Sequence, residues 1–107
     1  MNMPIREKRK AQRAEANVEH FDLKDNVITY QDGVSRFKCI IRRDKFEGYE
    51  LNAYDSSNGM ITMRLTGACL SHWGALEFAA TLDSFFVDGW STMVYEYLRQ
   101  EWGDFDE

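Results

Sequence analysis

From Val27 onward polar and apolar positions alternate with a period of two, and after residue 70 the apolar positions switch to helical spacing. The clearest alternating run is Val34 to Arg43. As a strand it turns Phe37, Cys39 and Ile41 to one side and Arg36, Lys38 and Arg42 to the other. One face is apolar and the other cationic. Turn signals divide the neighbouring runs into four predicted strands: Asp32-Gly33 follows Val27–Gln31, a longer loop follows Arg43, and Asn58-Gly59 separates Tyr49–Asp55 from Met60–Thr66. Connections this short join antiparallel neighbours, so the strands predict a β-meander over residues 26–66. Its inner face would hold Phe37, Cys39, Ile41, Tyr49, Leu51, Ile61, Met63 and Leu65.

Residues 71–102 predict a helical pair. Ser71 suits the first cap, and Ala75, Phe78, Ala79, Leu82, Phe85 and Phe86 recur at helical spacing. Val87-Asp88-Gly89 breaks that helix, with Asp88 as the expected cap of the next. Trp90, Val94, Tyr97 and Leu98 fall on one side of the second helix, which Gly103 ends. Ahead of the sheet, residues 1–18 predict a helix opened by Pro4, with five bases and one acid between Arg6 and Arg13 and only a thin apolar stripe. Residues 103–107 form an acidic tail. The expected fold is therefore α+β and a single domain over residues 1–107. It comprises an N-terminal helix, a four-stranded antiparallel meander, and two C-terminal helices packed on one sheet face.

Composition agrees with a globular domain of this size: 44% hydrophobic and 14% aromatic residues in 107. No run of 18 apolar residues occurs, so no membrane association is expected. The charged N-terminus lacks the apolar stretch of a secretory signal. Two cysteines cannot build a secreted-type disulfide framework, which points to a reducing cytoplasmic setting.

Charge changes the picture more. The net charge of −5 is divided unevenly. Residues 1–66 carry twelve bases and ten acids, whereas residues 67–107 carry eight acids and one base, Arg99. Such asymmetry points to electrostatic recognition. One candidate surface is the acidic helical half, with Glu77, Asp83, Asp88, Glu96, Glu101, Asp104, Asp106 and Glu107 studded by Trp90, Trp102 and Phe105. Its partner-binding residues would be Glu96, Glu101, Trp102, Asp104, Phe105 and Asp106. A negative surface with aromatic anchors is steered toward a basic partner protein, such as one with a nucleic-acid channel. The alternative surface is the outer sheet face, where Arg36, Lys38, Arg42 and Arg64 would share space with Tyr30, Glu50, Asn52 and Tyr54. Bases beside aromatics on a sheet suit single-stranded nucleic acid.

Catalytic chemistry finds little support. Cys69 and His72 stand three apart, but a zinc site would have to recruit Cys39 and His20 from distant segments. A Cys69 nucleophile with His72 as base has the right residue types in a stretch built for packing. Gly67 alone does not make a phosphate-binding loop. Neither a metal, a cofactor nor an enzymatic activity is expected.

The element order, the small size, the acidity and the segment Phe86-Val87-Asp88-Gly89-Trp90 between two helices together resemble small phage-encoded anti-CRISPR proteins. Some of these consist of a helix, an antiparallel sheet and two helices, and block the cationic channel of a CRISPR effector. The resemblance implies a viral inhibitor acting in the host cytoplasm on a nucleic-acid-binding effector. The acidic loop that such proteins carry after this segment is replaced here by the helical stretch Ser91 to Arg99, so no functional residue is carried over.

Overall fold

The computed structural model describes residues 18–44, 48–57 and 59–102. Apart from Val18, the helix expected over residues 1–18 lies outside them, as does the acidic tail. After a short 3-10 turn at Val18–His20, five strands follow: β1 (Phe21–Lys24), β2 (Val27–Gln31), β3 (Arg36–Asp44), β4 (Gly48–Ser57) and β5 (Met60–Cys69). Helices α1 (His72–Phe85) and α2 (Trp90–Trp102) complete the described elements. The fold is α+β, with a fully antiparallel sheet in the order β1-β2-β3-β4-β5.

The meander thus has five strands where the sequence reading expected four. The missed strand, Phe21-Asp22-Leu23-Lys24, alternates apolar and charged residues but is only four residues long. A two-residue turn, Asp25-Asn26, joins it to β2, with Asp25 at φ 57°. Asn26 then ties this turn to the sheet, since its side-chain amide donates to the Ile41 carbonyl at 2.7 Å and its own carbonyl accepts from Ile41 N at 2.9 Å.

Directly opposed residues of an antiparallel pair share a face, so the register defines two surfaces. The inner one carries Ile28, Tyr30, Phe37, Cys39, Ile41, Tyr49, Leu51 and Ala53, all buried. Helices α1 and α2 cover it with Ala75, Ala79, Leu82, Trp90, Val94 and Leu98, each fully buried. At one end Phe37 stacks on Phe86 with ring centroids 4.5 Å apart, while Phe21 meets both Tyr30 and Trp90 edge to face at 5.0 Å. Such pairs add roughly 0.5–1.5 kcal/mol beyond their area. At Gly67 an added Cβ would lie 2.6 Å from the Phe78 ring, so this glycine makes the seat on which α1 rests against β5.

Four expectations about side chains are corrected. Tyr30 belongs to the inner face, because it opposes Phe37 and Phe21 in the register. Ile61 is 63% exposed, since the register shift at Asp55/Ser56 sets it opposite Ser56, on the face away from the helices. Phe85 is likewise exposed, at the last turn of α1 where the chain leaves the core. Trp90 is completely buried, and so is a core residue rather than an anchor on an acidic surface.

Candidate nucleic-acid interface

The face of the sheet opposite the helices holds the cationic residues. On β3, Arg36, Lys38 and Arg42 are all exposed. Ile40 lies between them on the same side. Positions two apart on a strand are about 6.6–6.8 Å apart, so these side chains form a ridge about 20 Å long down the middle strand. The register extends it sideways. Lys38 opposes Tyr54 on β4, and Tyr54 opposes Arg64 on β5. The Arg64 guanidinium stands over the Tyr54 ring, 5.5 Å from its centroid, a cation–π geometry. The same row continues the other way through Thr29 to Asp22.

A second row runs Lys24–Val27–Ile40–Asn52–Thr66, and a third sets Arg42 against Glu50 and Ala68. Among the residues whose side chains are described, the face therefore carries five bases and two acids, Asp22 and Glu50. None of Arg36, Lys38, Arg42 and Arg64 forms an ion pair with another described residue. A shallow depression of about 390 Å³, lined by Gln31, Gly33, Val34, Arg36 and Gly59, continues the face past Arg36. Of the eight residues expected on this surface, Arg36, Lys38, Arg42, Glu50, Asn52, Tyr54 and Arg64 share it by register, whereas Tyr30 lies on the inner face. The sequence reading missed Asp22 and Lys24, whose signal was the brief alternation in β1, and did not single out Thr29 of β2.

The acidic helical half is organised differently. Glu96 accepts from Arg99 at 2.8 Å, one turn along α2, and Glu101 is reached by Arg43 of β3 at 3.4 Å. Both pairs are partly exposed, so they add little stability while locally neutralising the charge. Asp83 is not on the surface. It is buried at the end of α1, and its carboxylate accepts from the backbone N–H groups of Gly89, Trp90 and Ser91 and from the Ser91 hydroxyl. Asp83, and not Asp88, supplies these capping contacts to α2. Trp102 is the last residue of α2, and Asp104, Phe105 and Asp106 lie outside the described residues.

Burial shifts the two thiols and His72 away from their ordinary values. Burial, with a contribution from Cys69, pushes the Cys39 thiol up to about 12. Burial and then Glu77 raise the Cys69 thiol as well, away from the thiolate that a nucleophile or zinc ligand requires. Burial and then the charge of Arg43 lower the pKa of His72. Among the described residues no three His, Cys, Asp or Glu side chains assemble into a metal-binding group, and no helix is long and apolar enough to cross a membrane. The chain matches no protein-family model, and no curated protein or solved structure is detectably similar to it.

Proposed function

We propose that this protein is a non-catalytic binding module that takes a nucleic acid on the open face of its sheet. One observation carries the reading: Arg36, Lys38, Arg42 and Arg64 converge on one exposed face with no ion-pair partner among the described residues. Cations left unneutralised on a common face attract phosphates and release their counterions, the main source of affinity in such complexes. Three acids of the helical half are engaged within the fold, Glu96 with Arg99, Glu101 with Arg43 and Asp83 with the start of α2. That division supports the basic face over the acidic one, although the chain as a whole is acidic. A reducing cytoplasmic setting suits its two free cysteines.

Charge reversal on each surface provides the test. Arg36→Glu, Lys38→Glu and Arg64→Glu together should abolish binding to an oligonucleotide in a filter or anisotropy assay, with folding retained by circular dichroism. The control reverses Glu96 and Glu101 to lysine and should keep it. The opposite pattern, together with capture of a basic protein that survives nuclease treatment, would return the function to the acidic helical half. An inhibitor acting on the cationic groove of a partner, as the resemblance to anti-CRISPR proteins implies, would then be the better account.

A further inference from the structure

Resting on the sheet-face reading, a more specific assignment follows from the row Lys38–Tyr54–Arg64. We infer that the ligand is a single strand whose phosphates follow the β3 ridge and one of whose bases stacks on Tyr54 beneath Arg64. Tyr54 is half-buried and flanked by a cation on each neighbouring strand, Lys38 on β3 and Arg64 on β5. Neighbouring strands lie about 4.8 Å apart, so a phosphate held by Lys38 leaves its base within reach of the Tyr54 ring. The Arg64 guanidinium, 5.5 Å from the ring centroid, supplies a second plane that can cover a base as it now covers the tyrosine.

Asp22 and Glu50 fix the direction. Asp22 closes the β1 end of the Lys38 row, so a phosphate backbone is repelled from that side and the bases fall toward β4 and β5. Glu50 faces Arg42 and weakens the opposite end of the ridge, concentrating positive potential around Arg36, Lys38 and Arg64. A duplex satisfies this arrangement poorly. Its bases are stacked on one another, and its grooves admit a helix or a narrow ribbon rather than a five-stranded face.

Fluorescence anisotropy with labelled dT12, an unlabelled 12-base-pair duplex and inorganic polyphosphate as competitors tests the assignment. The wild type should bind dT12, which the duplex displaces weakly. Tyr54→Ala should bind dT12 roughly 5- to 140-fold more weakly with an unchanged salt slope, the range expected for one lost base stack. Tyr54→Phe should retain binding, and Tyr54→Leu should lose it if the alanine variant proves unstable. Lys38→Gln should instead flatten the slope of log K against log salt by about 0.7, as for one lost phosphate contact on a single strand. If duplex or polyphosphate competes as well as dT12, or if Tyr54→Ala binds like wild type while the Arg36, Lys38 and Arg64 reversal abolishes binding, the stacking assignment is overturned and the sheet-face function stands. If that reversal leaves dT12 affinity intact, both fall.

Discussion

The Asp83 carboxylate accepts the backbone N–H of Trp90 at 2.8 Å, so a residue of one helix caps the next. The position that would ordinarily supply the capping side chain is Gly89, whose carbonyl accepts the first helical bond from Met93 N. Glycine is required there, at φ 124°, because a Cβ would lie 2.3 Å from the Phe21 ring. With no side chain at the cap, Asp83 bonds Gly89 N and Trp90 N through Oδ1 and accepts the Ser91 hydroxyl on Oδ2 at 2.6 Å. The inter-helix turn is thereby locked from within the core.

Asp83→Ala should therefore destabilise the protein by about 2–4 kcal/mol, combining a lost cap with donors left unsatisfied in a buried site. Urea denaturation measures it. A cost below about 0.5 kcal/mol, typical of a surface change, would show that the contacts are incidental.

Gly89→Ala should cost about 1–3 kcal/mol, through overpacking against Phe21 and a backbone angle that alanine rarely adopts. Trimming the ring in a Gly89→Ala, Phe21→Leu double variant relieves only the steric part. Thermal melts of the single and double variants should therefore show coupling rather than additivity.

Gly59 separates backbone from packing. Its φ is 80° and nothing lies within 4 Å of the position a Cβ would take. Gly59→Val should lose about 1–2 kcal/mol by strain alone, whereas Gly59→Asn should be tolerated. Equal stability of the two variants in chemical denaturation would overturn the assignment.

Ile61→Thr should shift stability by under about 0.5 kcal/mol, because the side chain is largely in water. Leu51→Ala, at a fully buried position, should cost about 2–5 kcal/mol. Comparable losses would place Ile61 in the core after all.

The Tyr30–Asp32 pair predicts a dependence on pH. Tyr30 Oη donates to Asp32 at 2.7 Å. Burial first, and then Asp32, push the phenol up to about 12, while the backbone N–H of Ser35, the Tyr30 hydroxyl and the Val34 N–H hold Asp32 down at about 2. A raised folded-state pKa stabilises below the unfolded value, so the tyrosine contribution is complete below about pH 10 and lost as the pH rises through about 12. A depressed carboxylate works in reverse: the Asp32 contribution is present above about pH 4 and lost as the pH falls through about 2. Tyr30→Phe should shallow the alkaline limb of a stability profile, leaving the part due to Cys39, Cys69 and Tyr97, and Asp32→Asn should shallow the acid limb.

The sequence by itself determined the elements whose signal is local. Alternation placed Phe37, Cys39 and Ile41 opposite Arg36, Lys38 and Arg42, because the pleat makes side-chain direction a property of position along one strand. Ser71 was legible as a cap because its oxygen bonds Gly74 N only three residues on, and the positive-φ glycines Gly33 and Gly59 were legible from the turn signals around them. Tertiary structure decided what depends on neighbours distant in the chain. Four residues of β1 carry too little pattern to stand out, and they form a strand because β2 offers them a hydrogen-bonding edge. Tyr30 and Ile61 exchanged their expected environments because burial depends on where the helices sit and where the bulge falls. The fates of the acids were decided in the same way. Glu101 meets Arg43 across 58 positions of sequence, and Asp83 turns inward to a helix that begins seven residues later. Composition counts such charges, but only the folded chain determines which of them remain unpaired at the surface.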